Sequence, residues 1–319
     1  MKIWNYIRTL EFKSFPYIVI GVLFLLHALA YVMYASHIPF TINDHLFNIQ
    51  MHKIESAEEP VETIIVGDSS AGNAIDATLF SGLSGGQTLN LALSRLHGFE
   101  GSLNMAKQAR KLHPEIKNVV FVQSLDMWAL TFSREGFFKT EKGINTDEID
   151  SRFFATYKWL DRFAYATDLR WIYRFVKYVA TGAPRFAFEN DYVRNPGEVK
   201  TFRNGDYVIE DKKLITEPLG QNQIDMYARI DLYCKKEKIN CIFIGGPLHE
   251  GVVHNMEPSY FSQIFDFTDT ATSIHSVHTV FAIPNEYMGD ASNHVDITYK
   301  PTMTKRYYEE MKESLVHSE

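Results

Sequence analysis

Residues 63 to 73 read Thr63-Ile64-Ile65-Val66-Gly67-Asp68-Ser69-Ser70-Ala71-Gly72-Asn73, and their reading decides the fold. The β-branched run up to Val66 has no polar alternation, which is the pattern of a strand buried on both faces and so of a parallel sheet. Gly67-Asp68-Ser69-Ser70 then breaks the run with a turn, after which the chain turns helical. A serine at such a turn projects its Oγ past the carboxyl end of the strand, where open parallel sheets bind their ligands. The helix N-terminus behind it offers N–H groups with no intrahelical acceptor.

Outward from this stretch the same alternation recurs. Thr88–Leu93 reads as a second strand, Gly101–Leu112 as a helix, Asn118–Leu125 as a third strand, Gln221–Lys238 as a helix and Asn240–Gly245 as a fourth strand. Val277–Ile283 is the expected fifth strand and Thr302–Val316 a closing helix. Strands alternating with helices imply an α/β fold, a three-layer α/β/α sandwich around a mostly parallel sheet, over about residues 62–319. No repeat period is visible. Residues of about 130–215 are too many for one crossover and form an insertion, expected as two or three helices and a small hairpin around Asn204-Gly205.

The chain has 319 residues, a formal net charge of −7 and 45% hydrophobic residues, which excludes a disordered or collagen-like class. The acidic balance argues against a nucleic-acid partner. Phe15–Ala35 (FPYIVIGVLFLLHALAYVMYA) has 21 residues and no Asp, Glu, Lys or Arg, long enough to span a bilayer as a helix. Lys2, Arg8 and Lys13 flank it upstream against Glu11, and no Lys or Arg follows until Lys53. By the positive-inside bias, residues 1–14 are cytoplasmic, 15–35 a single-pass membrane anchor, 36–61 a connector, and the remainder lies outside the cytoplasm. A cleaved signal peptide, with Ala28-Leu29-Ala30 as its site, and a buried core helix are the competing readings; the apolar run continues past that site, which favours the retained anchor.

Ser151 to Phe188 carries seven Lys or Arg (152, 158, 162, 170, 174, 177 and 185) against two Asp, interleaved with ten aromatics from Phe153 to Tyr178. Trp171, Phe175 and Tyr178 have the i, i+4, i+7 spacing of a helical core face. The segment is either an amphipathic subdomain with a solvated cationic face or a surface that rests on an anionic membrane or partner.

The residues just past each strand carry the chemistry. They are Ser69 after the first, Ser94-Arg95-Leu96-His97-Gly98 after the second, Ser124-Leu125-Asp126 after the third, and His249-Glu250 after the fourth. Gly289-Asp290-Ala291-Ser292-Asn293-His294 lies beyond the fifth. A serine at the first strand with an Asp and a His beyond the last supplies the nucleophile, base and orienter of acyl transfer.

These blocks resemble those of the SGNH/GDSL hydrolases. Val66-Gly67-Asp68-Ser69-Ser70 is similar to their first block, Asn90 to Gly98 to the second, and Asp290 to His294, before a final helix, to the terminal Asp-x-x-His block. With the anchor, the order looks most like the membrane-anchored subgroup that includes the D-alanyl-lipoteichoic acid transfer protein and alginate O-acetylation proteins. The resemblance implies an O-acyltransferase or acyl esterase acting on a cell-envelope polymer, beside a multi-span membrane-bound O-acyltransferase and without a cofactor. It implies Ser69, His294 and Asp290 as catalytic residues, with Gly98, Asn90 and Asp126 around the oxyanion hole and pocket; His249 is a further pocket candidate by its place just past the fourth strand. The alternative is a non-catalytic SGNH-like partner or scaffold.

Three departures from the family pattern stand out. Gly98 comes four residues after Ser94, later than the family's glycine. The Gly-x-Asn-Asp block is replaced by Ser124-Leu125-Asp126, so Asp126 is either a site residue or a strand-end cap. Asp290 precedes His294 by four residues rather than three. Either a bulged loop brings the two together or another group orients His294.

Cys234 and Cys241 read either as a short disulfide outside the cytoplasm or as two buried thiols. The histidines His249, His254, His275 and His278 show no zinc-ligand spacing with a third ligand, and no metal is expected.

Overall fold

The computed structural model describes residues 14–35, 42–129, 140, 167–181 and 219–316. The expected hairpin at Asn204-Gly205, the flank Lys2, Arg8 and Lys13, and Arg152, Lys158, Arg162 and Arg185 lie outside the described residues. The described chain falls into two compact units, one drawn from residues 1–44 and 151–185, the other from 45–150 and 186–319.

The larger unit is mixed α/β, built on a parallel five-stranded sheet of order β2-β1-β3-β4-β6. Its strands are β1 (Val61–Gly67), β2 (Gln87–Asn90), β3 (Asn118–Ser124), β4 (Asn240–Gly246) and β6 (Ile274–Val277). Ile64, Ile65 and Val66 are fully buried, as is every residue of β3, which is why both strands read as unbroken apolar runs. The second strand ends three residues sooner than expected, although the Leu91 and Leu93 N–H groups still donate to the Ile65 and Gly67 carbonyls at 2.7 and 2.9 Å.

Alternate strand residues pack on different helices, as the period of two requires. Ile65, Val120, Val122, Ile242 and Ile244 share a cluster with α3 (Ser69–Ala74), α4 (Ala77–Ser84) and the terminal helix (Lys300–Met311). Phe243, on the other parity, stacks among Phe99 of α5 (Gly98–Leu112), Trp128, and Tyr227 of α7 (Gln221–Glu237) at centroid distances of 5.5 to 6.4 Å. At the β2 edge, Gln50 Nε2 of α2 (Ile42–Glu55) donates to the Ala92 carbonyl at 2.6 Å and Lys53 Nζ to that of Asn90. Capping these carbonyls protects an otherwise open sheet edge.

The expected fifth strand is corrected. Val277–Ile283 is not one strand: the sheet takes Ile274–Val277, and Ala282–Ile283 (β7) pairs instead with Leu248–His249 (β5) in a separate parallel pair. Between them, His278 Nε2 pairs with Asp269 Oδ1 at 2.7 Å and Thr279 Oγ1 donates to Glu310 Oε2 at 2.6 Å, while Phe281 packs on Tyr307 with centroids 4.5 Å apart. These side-chain partners draw the chain off the edge after four residues.

Cys234, in the last turn of α7, is disulfide-bonded to Cys241, the second residue of β4. Of the two readings left open by the sequence, the bonded pair is the one observed.

In the smaller unit, α1 (Phe15–Ala35) is long and apolar enough to cross a membrane, as an anchor or a signal sequence would be. It packs with α6 (Arg170–Thr181), whose Trp171 buries Ala30 while Ile172, Phe175 and Tyr178 pack alongside.

Candidate active site

The first strand ends in a glycine because β3 approaches too closely for any other residue. A Cβ on Gly67 would lie 1.8 Å from the Val122 carbonyl oxygen. On the next strand, a Cβ on Gly246 would lie 2.2 Å from Ser70 Oγ. Asp68 follows as the N-cap of α3, in extended backbone. Its Oδ1 accepts from the Ser70 N–H at 2.8 Å and from the Ser70 hydroxyl, and its Oδ2 accepts from the Ser124 N–H at 3.1 Å. Burial raises the Asp68 pKa, and the three donors oppose it. Asp68 thus ties the turn that carries Ser69 to the end of β3.

Ser69 is the first residue of α3, so its N–H has no acceptor within the helix. Its Oγ lies 2.8 Å from His294 Nε2. On the ring's other side, His294 Nδ1 is 2.7 Å from Asp290 Oδ1. The four-residue spacing is accommodated by a tight loop. The Gly289 N–H donates to the His294 carbonyl at 2.7 Å, the His294 N–H to that of Ala291 at 3.2 Å, and Met288 bridges Val295 in antiparallel fashion. That closure brings Asp290 back onto the imidazole. The hydrogen bond to His294 holds the Asp290 carboxyl below its ordinary pKa of 3.8 against an opposing effect of burial. An ionised Asp290 accepts from Nδ1–H, which leaves Nε2 as the lone-pair nitrogen facing the serine.

Of the remaining residues singled out in the sequence, Asn90 is a clamp. Its Nδ2 donates to the Ala71 and Ile75 carbonyls at 3.1 and 2.9 Å and its Oδ1 accepts from the Ala92 N–H at 3.1 Å, so both amide hydrogens are spent on holding α3 to β2. The Gly98 N–H is likewise spent on the Arg95 carbonyl. Asp126 is buried, accepting from Ser124 Oγ at 2.7 Å and pairing with the half-exposed Arg95 guanidinium at 2.7 Å. His249 caps α8 (Glu250–Asn255) by accepting the Gly251 N–H on Nδ1 at 2.8 Å, and its backbone N–H donates to the Ser292 carbonyl at 2.7 Å. Burial lowers its pKa against smaller opposing effects of Asn285 and Glu250. His249 therefore braces the Asp290–His294 loop from behind.

Two positioning residues carry no signal in the sequence. Lys300 is buried at the start of the terminal helix, α10 (Lys300–Met311), and donates to the Gly72 carbonyl at 2.9 Å. Thr304, one turn on, accepts the Asp76 N–H at 2.9 Å. A lysine in an amphipathic helix reads as a solvated residue, and only the packing shows it seated against α3.

A cavity of about 770 Å³ runs along β2, lined by residues of 53–59 and 77–90, and includes none of Ser69, Asp290 and His294. Among the described residues no group of three His, Cys, Asp or Glu is placed to hold a metal ion. No protein-family model matches the chain, and no curated protein matches it.

Proposed function

We propose that the protein is a serine-dependent O-acyltransferase or acyl esterase of the SGNH type, a three-layer α/β/α domain tethered by α1 to the bacterial inner membrane and acting outside the cytoplasm on a cell-envelope polysaccharide or related polymer. The observation that carries this reading is the continuous hydrogen-bonded line Ser69 Oγ, His294 Nε2, His294 Nδ1, Asp290 Oδ1, at 2.8 and 2.7 Å, joining two parts of the chain 225 residues apart. The Cys234–Cys241 disulfide supports an oxidising compartment.

In this mechanism Ser69 Oγ attacks the ester carbonyl as its proton passes to His294 Nε2, and Asp290 stabilises the imidazolium that forms. The Ser69 N–H faces the developing oxyanion. His294 returns the proton to the departing alkoxide, leaving an acyl-serine. A water or an acceptor hydroxyl, deprotonated by His294, then releases the acyl group to give hydrolysis or transfer. The acyl donor or acceptor is the envelope polymer, with a multi-span membrane-bound O-acyltransferase as the partner that supplies acyl groups. A serine-directed fluorophosphonate probe labels the full-length protein and fails to label Ser69→Ala; equal labelling of the two refutes the proposal.

One observation favours the second reading, a non-catalytic partner of an acyltransferase. The Gly98 N–H and both Asn90 amide hydrogens are engaged within the protein, so neither is free for an oxyanion. Hydrolysis of a chromogenic acetate ester, lost in His294→Ala, separates the two: a wild-type rate equal to that of the variant selects the scaffold.

A further inference from the structure

At about 1.5 Å per residue, α6 is roughly 18 Å long, too short to cross a bilayer. One of its faces, Trp171, Ile172, Phe175 and Tyr178, packs on α1 around Ala30. Between Phe15 and Met33, the residues of α1 withdrawn from solvent are Leu26, His27, Ala30 and Met33, a single face over two turns. Ala30 lies about 7.5 Å inward from the Ala35 end of α1. That depth falls within the roughly 5–10 Å to which the apolar face of an interfacial helix sinks.

The apolar side of α6 continues past what α1 covers. Val176 and Val179 are 57% and 66% exposed, and Ala180 beside them is exposed too. Arg170, Arg174 and Lys177 fall on the opposite side, within an arc of about 60° at 3.6 residues per turn. Arg170 is paired with Asp168, which also caps the helix by accepting the Arg170 N–H at 2.9 Å. Arg170, Arg174 and Lys177 together outweigh Asp168 and leave residues 167–181 with a net charge of +2, and the Arg174 guanidinium sits 5.8 Å over the Trp171 ring. Trp171, Tyr173 and Tyr178, with Tyr31 next to Ala30 on α1, add the amphipathic aromatic residues that are enriched at membrane interfaces.

We propose that α6 lies in the membrane interface at the Ala35 end of the anchor, with Val176, Val179 and Ala180 in lipid at the headgroup–acyl boundary and Arg174 and Lys177 toward anionic headgroups. The helix then gives the protein a second membrane contact, which fixes how α1 is rotated and tilted in the bilayer. The inference rests on α1 spanning a membrane and is independent of the acyl-transfer chemistry.

The test is nitroxide labelling of the full-length protein in bilayer nanodiscs of phosphatidylcholine with a minor share of phosphatidylglycerol. Labels at Val176→Cys and Val179→Cys are compared with Leu23→Cys in mid-span and Leu232→Cys on the exposed face of α7, using oxygen and a water-soluble nickel chelate as relaxants. The native cysteines are bonded to each other and do not compete for label. The Val176 and Val179 labels are expected to be several-fold more accessible to oxygen, and less to nickel, than the Leu232 label, at a depth between the two references. Nickel accessibility equal to that at Leu232 overturns the proposal, and so does shielding from both relaxants, which marks a protein-covered face. A Leu23 label in water overturns it together with the anchor and leaves the catalytic reading standing. Arg174→Gln with Lys177→Gln moves the Val176 label toward water in discs containing phosphatidylglycerol and not in pure phosphatidylcholine; an equal response in both overturns the anionic-headgroup assignment.

Discussion

Asp290→Asn keeps the side chain's shape and removes its charge, which isolates what the carboxylate does for His294. An asparagine with its carbonyl oxygen turned toward Nδ1–H preserves the tautomer that leaves Nε2 facing Ser69, 2.8 Å away. What is lost is the attraction between the carboxylate and the imidazolium that forms as Ser69 gives up its proton. With charge centres about 4 Å apart, that attraction is worth about 1 kcal/mol in water and about 4 kcal/mol at the effective dielectric near a protein surface. The Asp290 side chain is 48% exposed while that of His294 is 15% exposed, so screening places the value between these limits, at about 2–3 kcal/mol. The expected loss in kcat/KM for a chromogenic acetate ester is therefore roughly 30- to 150-fold, smaller than the loss of about 10⁴ that follows where the asparagine holds the imidazole in the wrong tautomer. Because the interaction strengthens only in the transition state, kcat and kcat/KM fall together. Fluorophosphonate labelling slows by the same factor. A loss below about 3-fold would refute the role given to Asp290, since an exposed pair with no catalytic coupling is worth under about 1 kcal/mol.

Gly67→Ala sets a methyl group 1.8 Å from the Val122 carbonyl oxygen, and relief requires β1 and β3 to separate where the site is built. The expected cost is about 3 kcal/mol or more, read as a lowered denaturant midpoint, with loss of fluorophosphonate labelling in whatever folds. Removing the disulfide with Cys234→Ser and Cys241→Ser frees a short loop, and the chain-entropy estimate gives a loss of about 2.5 kcal/mol. Reductant is expected to destabilise the wild type by a similar amount and leave the double variant unchanged. Asp290 is held below its ordinary pKa of 3.8 by His294, so its stabilising contribution is fully present above that value and is lost as pH falls through the lower, folded-state pKa. The gap in Tm between wild type and Asp290→Asn is expected to narrow as pH falls below about 4.

Features of the fold and of the site differ in how visible they are in the sequence. Gly67-Asp68-Ser69 after a buried apolar run is legible because a strand covered on both faces has no polar alternation and because a turn residue is needed where the strand stops. Ser69 as the projecting residue follows from that turn. The fifth strand is misplaced in the sequence reading because Val277, Phe281 and Ile283 all face one core cluster, although only Val277 lies on the five-stranded sheet and Ile283 pairs with His249. A run of one composition can serve two neighbours, and periodicity alone does not separate them. The role of Asn90 was hidden for a similar reason, since an asparagine near a strand end can serve a substrate or the backbone, and its three hydrogen bonds go to the backbone.

By itself, the sequence determined the class of fold, the turn that exposes Ser69, and an apolar N-terminal helix, because each depends on local patterning over a few to a couple of dozen residues. The tertiary structure alone decided what those parts meet. Ser69 and His294 are 225 residues apart, and their contact depends on the packing of β1 and of the loop before α10. The Asp290–His294 spacing became competent only through the Gly289–His294 backbone closure. The pairing of Cys234 with Cys241 and the seating of Lys300 on Gly72 depend likewise on distances that exist only once the helices have docked. Trp171 on Ala30 is the same case: each helix could be read from its own periodicity, but which face of one covers the other is set by packing.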